Sequence, residues 1–159
     1  MVPYQNGVLL FEISTDIVYT YTPKLNEPQP FLINRTSLDN YNVIMGIVTE
    51  RYCFMDAMEK SFDFSTGQGF STTHLMYDRQ EGRTFRTTVL NNDFESKKSV
   101  SMTAAPLNAE EVAGFVTLQA YELTEARDND DLRGSLKTAV AKLDEEDNIV
   151  VMVMKYKKP

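Results

Sequence analysis

The stretch Leu38–Phe62, LDNYNVIMGIVTERYCFMDAMEKSF, decides how this chain is read, and the rest is taken outward from it. At about 100° per residue, Ile44, Val48, Met55 and Phe62 share one face, flanked by Ile47 and Met58 on one side and Tyr41 on the other. Asn42, Thr49, Asp56 and Lys60 group opposite. Strand alternation fails, because Val43-Ile44-Met45 and Ile47-Val48 are consecutive apolar residues. The pattern predicts one long amphipathic helix. Thr36 or Ser37 would start it, with Asp39 in its first turn, and Ser65-Thr66-Gly67 would end it. Its β-branched residues lower intrinsic helix propensity, so packing must hold it.

Arg51 falls inside the apolar stripe of that helix. One account lets its stem cover apolar surface while the guanidinium reaches water. The other has it cross an interface or grip a carboxylate or phosphate with its planar fork. A buried, unpaired guanidinium is too costly to keep.

Upstream, Val8–Ile13 and Ile17–Thr22 read as strands, the second β-branched and aromatic throughout. Pro23, Pro28 and Pro30 break up the connection after the second strand, and Phe31–Asn34 is a brief extended piece. Downstream, Phe70–Tyr77 and Thr84–Leu90 suit a hairpin turning at Asp78–Arg83, with Gly82 free to take positive φ. Ser99–Ala104 is a third strand of this meander. Val112–Leu123 alternates and reads as a strand, although Ala109-Glu110-Glu111 would favour a helix. A helix is expected from about Asp130 to Leu143, with Leu132, Leu136, Ala139, Val140 and Leu143 in one stripe. Ile149–Tyr156 is apolar on both faces and is expected to be a covered, central strand. Strand, helix, strand in this order could form a right-handed parallel crossover.

The expectation is a single α+β domain over residues 1–159. An antiparallel or mixed sheet of about seven to nine strands would pack against the long central helix and a shorter C-terminal helix. A chain of 159 residues suffices for one full core. No apolar run reaches membrane-spanning length. The start, MVPYQNGVLLFEIS, lacks the basic opening of a secretion signal. One cysteine excludes an internal disulfide and a cysteine-rich zinc site. A cytoplasmic protein, or a particle assembled in the cytoplasm, is therefore expected. In that setting the sequon Asn34-Arg35-Thr36 is accidental.

Chemistry is sparse. The only histidine is His74, and Cys53 could partner it only if the fold joins them. A structural thiol and a hydrogen-bonded strand histidine are the simpler account, and no catalytic residue is assigned. Asp128–Gly134 faintly resembles a calcium loop but has Leu132 and Arg133 where oxygen and glycine are needed. Asp144-Glu145-Glu146-Asp147 reads as a solvated run. No metal or other cofactor is expected. Ser65–Gly69 lacks the lysine and helix start of a phosphate loop. Glu12 and Glu122 each interrupt or end a strand and read as solvent-facing carboxylates.

Three function classes remain. The first is a structural or protein-interaction subunit of a larger, homo-oligomeric assembly, of which a virion or tail-type component is one example. Its basic groups Arg79, Arg83, Lys97 and Lys98 would meet an acidic partner, and the tail Lys155, Lys157 and Lys158 would dock on the acidic cluster of a neighbouring copy. The second is a small-molecule-binding or hydrolytic domain in which Arg51, His74 and Arg86 converge on an anionic ligand. The third is a nucleic-acid-binding module using Arg79, Arg83, Arg86, Lys97 and Lys98. The net charge of −7 opposes that third reading.

Overall fold

The computed structural model describes residues 1–11, 17–33, 40–61 and 70–157. The sequon, the helix caps at Thr36 and Ser37, Glu12, the Ser65–Gly69 loop and Lys158 lie outside them.

Tyr41–Glu59 of the deciding stretch is a β-hairpin; among the described residues there is no long central helix, and the fold is mostly β rather than α+β. Strand β5 (Tyr41–Val48) runs antiparallel to β6 (Tyr52–Glu59). Thr49 closes the turn between them. Its amide donates to the Tyr52 carbonyl at 2.8 Å, and its Oγ1 accepts from the Tyr52 amide at 2.8 Å. Two facts hid this. Register slips between Met45 and Val48, so Gly46 and Ile47 form a bulge that resets the inside–outside phase. In addition, the second half of β5, Met45–Val48, is buried at every position, which removes the polar alternation of a half-exposed strand. A Cβ on Gly46 would lie 2.2 Å from the Met102 carbonyl oxygen, so only glycine admits this crossing segment. The Ile47 amide donates to that same oxygen at 2.8 Å. On β6 the alternation is plain once the hairpin is drawn, with Cys53, Met55 and Ala57 buried and Tyr52, Phe54 and Asp56 on the other face.

β5 and β6 belong to a four-stranded sheet, order β5-β6-β7-β8, completed by β7 (Thr72–Asp78) and β8 (Arg83–Arg86). A second four-stranded antiparallel sheet holds β1 (Val2–Tyr4), β2 (Gly7–Phe11), β3 (Ile17–Tyr21) and β4 (Gln29–Ile33) in sequence order. Pro30 is tolerated because β4 is an edge. Val2, Leu9 and Val18 of this sheet pack on Met45, Val48, Cys53 and Met55 of the other, forming the core of a sandwich.

The remaining chain makes a second, smaller core. A short ribbon pairs β9 (Val89–Leu90) with β10 (Ser99–Val100), and β11 (Val112–Leu118) pairs with β12 (Val150–Lys155). Between β11 and β12 lie helices α1 (Ala120–Asp128) and α2 (Gly134–Ala139). Phe94, Leu123, Ala126, Leu132, Leu136 and Val140 fill this core, with Leu118, Leu143 and Val150 at its margin.

Four further expectations are corrected by the fold. The helix expected over Asp130–Leu143 is confined to the six residues of α2, because Asp130 and Gly134 both take positive φ. Leu132, Leu136 and Val140 of its apolar stripe are nonetheless buried, Leu143 is half-buried and Ala139 is exposed. The alternating segment Val112–Leu123 changes to helix at Ala120, where burial of Ala120, Leu123, Thr124 and Ala126 follows the helical repeat. β11 and β12 pair antiparallel, so there is no parallel crossover, and β12 is neither central nor covered on both faces.

Asn108 ties the parts together. It is 3% exposed and sits at positive φ. Its Nδ2 donates to the carbonyls of Pro3 and Gly46, and its Oδ1 accepts from the Val48 amide at 2.7 Å. Tyr156 Oη, just beyond β12, donates to the Val48 carbonyl at 2.9 Å. Both sheets and the end of β12 are thus fixed to one buried amide.

Candidate functional site

Two surfaces outside the cores carry candidate function: a cleft on the outer face of the β5–β8 sheet, and the strand β12.

The cleft lies between β6 and β7 on one side and residues 99–102 on the other, with a cavity of about 210 Å³. The pairing of Asp56 with His74 across β6 and β7 puts both side chains on the outer face. His74 Nδ1 lies 2.7 Å from Asp56 Oδ1. Thr103 Oγ1 donates to Asp56 Oδ2 at 2.6 Å, and Ser101 Oγ lies 3.2 Å from Thr103 Oγ1. Against a carboxylate, Nδ1 acts as the donor, which leaves Nε2 of a neutral ring as an acceptor. Thr87, Thr88 and Ser99 add hydroxyls, and Phe54 and Val89 add apolar wall. Cys53 is on the opposite, core-facing side of β6, so it does not meet His74. Burial pushes its thiol pKa up, while the neighbouring Arg79 pulls the other way.

Arg51, Arg86 and His74 do not converge. Arg51 sits in the β5–β6 turn, where Nε and Nη2 donate to Asp78 Oδ2 at 2.9 and 2.6 Å. The Asp78 carboxylate is 4% exposed and also accepts from the amides of Gln80 and Glu81. The Arg51 hydrogen bond holds its pKa below the usual carboxylate range, and Asp78 in turn raises that of Arg51. The apolar company expected for Arg51 is replaced by a carboxylate joining two hairpin turns. The Tyr52–Asp78 and Asp56–His74 pairs lie about 13 Å apart along the sheet at the strand rise. Arg86 pairs with Leu75, one position out of phase with His74, and so points to the other side of the sheet.

The other basic residues are dispersed. Arg79 is half-buried, stacks over Phe31 at 4.7 Å and reaches Cys53 and Tyr4. Arg83 lies over Phe85, and Lys98 over Phe94. Lys97 is exposed at a positive-φ position in the β9–β10 connection. The carboxylates near Asp128–Gly134 are engaged: Asp131 accepts from Ser96 amide and hydroxyl, Asp130 pairs with Lys137, and Asp128 with Arg127.

β12 is the surface that the sequence concealed. The outer edge of β11 is occupied, since the Phe115 amide donates to the Ala105 carbonyl and the Leu107 amide to the Ala113 carbonyl. The outer edge of β12 has no strand beside it among the described residues. Ile149, Val151 and Val153 are 50%, 53% and 49% exposed, on one face of the strand. Lys155 and Lys157 continue that exposed phase, and Asp144–Asp147 precede it in an exposed turn. None of these charges forms an ion pair with another described residue. The signal missing from the sequence is alternation: every residue of VVMVMK but the last is apolar, so only the fold shows which half is covered.

No protein-family model, curated protein or solved structure matches this chain. No helix among the described residues is long and apolar enough to cross a membrane.

Proposed function

We propose that this protein is an interaction subunit that assembles with copies of itself, in the cytoplasm or in a particle built there. The observation that carries this reading is the open edge of β12, with Ile149, Val151 and Val153 about half exposed. A flat apolar edge of this kind pairs with another strand unless something guards it. A free, buried Cys53 fits a reducing compartment. Light scattering on a size-exclusion column tests the assembly. A mass that is a multiple of 18.1 kDa and rises with concentration is expected. A strict monomer at millimolar protein would sink the reading.

A second reading is favoured by the Asp56–His74 pair: a small ligand bound in the cleft, with a hydroxyl donating to His74 Nε2. The adjacent Asp56 carboxylate argues against the anionic ligand that Arg51, His74 and Arg86 would have held together. Titration of a neutral polyol panel against ¹⁵N-labelled protein tests it. Shifts confined to the amides of residues 54–56, 74–75 and 99–103, absent in His74→Ala, would support it.

A further inference from the structure

We infer that β12 pairs antiparallel with β12 of a second copy about a twofold axis, joining the two β11–β12 ribbons into one four-stranded sheet. This rests on the proposed self-assembly and specifies its partner strand, direction and register.

Direction follows from charge. The strand runs from an acidic turn, Asp144-Glu145-Glu146-Asp147, to the basic residues Lys155 and Lys157. In an antiparallel pair the acidic end of each copy lies beside the basic end of the other, twice per dimer. A parallel pair would set acid beside acid and base beside base. The segment is therefore complementary to itself only when reversed, which is the condition for a closed twofold interface. No ion pair within the described chain competes for these groups.

Register follows from the face. Directly opposed residues in an antiparallel pair point to the same side. Centring the axis at Val151 opposes Val151 to itself, Val153 to Ile149, and Lys155 to Asp147. Apolar meets apolar and base meets acid along the whole exposed face. Moving the axis to Met152 sets Lys155 against Ile149, and moving it to Val150 sets Val153 against Asp147. Both shifts oppose a charge to an apolar residue. Tyr156, bonded to the Val48 carbonyl, anchors the end of the strand, so the edge is presented without an ordering step.

Charge exchange between two variants tests the pairing. One carries Lys155→Glu and Lys157→Glu; the other carries Glu145→Lys, Glu146→Lys and Asp147→Lys. All five positions are exposed, and circular dichroism melts check that each variant folds. Alone, each has like charges facing at both ends, and its self-dissociation constant should rise at least tenfold. Mixed, they should form a heterodimer by native mass spectrometry, because both ends are again complementary. Val151→Lys gives a second handle, since one substitution meets its own symmetry copy at the axis; it should also raise the constant at least tenfold. Variants that all self-associate as tightly as the parent overturn this pairing while leaving self-assembly through another face intact. Variants that weaken alone but fail to combine also overturn it. A parent that is strictly monomeric overturns both this pairing and the proposed self-assembly.

Discussion

Strands β8 and β12 both close a sheet, yet they present opposite surfaces to a passing strand. β8 is four residues long and displays Arg83, Thr84 and Arg86. Arg83 folds over Phe85 and covers its ring. β12 is six residues long, and its exposed positions are Val151, Val153 and only then Lys155. Charge and shortness guard β8, as they guard many natural edges. β4 is guarded in another way, by Pro30. Set against the guarded β4 and β8, the open edge of β12 is the surface on which the proposed self-assembly rests. The contrast also separates the two halves of the molecule, with the guarded edges on the sandwich and the open one on the smaller core.

The largest expected effect comes from the joint that holds the open edge in place. Asn108→Ala would leave the Val48 amide and the Gly46 carbonyl buried without a partner. Loss of buried hydrogen bonds of this kind costs about 2–4 kcal/mol, and urea denaturation would read it. If Asn108 only decorates a loop, the midpoint will hardly move.

Next is the same substitution placed on each edge. Val153→Lys on β12 should weaken self-association by about 1.4 kcal/mol or more, a tenfold rise in dissociation constant. Thr84→Lys on β8 should leave association unchanged. Equal effects at the two sites would erase the distinction between them. The converse removes the guard: Arg83→Val with Arg86→Val should give β8 a new tendency to associate, seen as mass beyond the parent oligomer in light scattering. Smaller still is the response to salt. The end charges of β12 are exposed and screened, so raising salt from about 0.05 to 0.5 M should weaken pairing only severalfold. A fall of orders of magnitude would mean that charge, and not the strand edge, carries the contact.

The hairpin at Tyr41–Glu59 shows how far sequence reaches. Its residues include Tyr41, Val43, Ile44, Ile47, Val48, Tyr52 and Phe54, which favour strands, and that preference is legible. Its periodicity points the other way, because a bulge at Gly46-Ile47 shifts the phase and a turn at Thr49–Arg51 adds another offset. Two strands out of step imitate a helical repeat over a short window. The carbonyl of Met102, which makes Gly46 necessary, lies more than fifty positions away. Strands β2, β3, β7 and β8 are readable because each is half-exposed and bounded by turn residues, whereas Pro28 and Pro30 hid β4 and left only Phe31–Asn34 legible as an extended piece. The stripe Leu132, Leu136, Val140 is apolar in sequence and buried in the fold, but positive φ at Asp130 and Gly134 breaks the helix that would have carried it. At the candidate surface, Lys155 and Lys157 are visible as a basic tail beside an acidic run. The open edge between them is not, since openness depends on what fails to pair. Asp56 falls on the polar side of the expected helix, and its contact with His74 depends on cross-strand register alone.

The smallest effect concerns the turn that sets the guarded edge. Arg51 and Asp78 join the β5–β6 turn to the β7–β8 turn, just before β8 begins. The hydrogen bond from Arg51 lowers the Asp78 pKa in the folded chain, so folding favours the ionised carboxylate. That contribution is fully present above the unfolded aspartate value of about 3.9, and it is lost as pH falls through the lower folded value. Asp78→Asn keeps Oδ1 for the Gln80 and Glu81 amides but puts an amino group where Oδ2 accepts from Arg51, so it removes the charge together with both Arg51 hydrogen bonds. The parent should therefore melt above the variant at pH 7, with the gap shrinking as pH drops below about 4. A gap that stays constant down to pH 2 would assign the effect to packing at the turn. Since this pair orders β8 and touches nothing in β12, Asp78→Asn should leave self-association as it is in the parent. A change in dimer mass on that substitution would show the two edges to be coupled through the sheet, and the contrast between them would have to be redrawn as one interface.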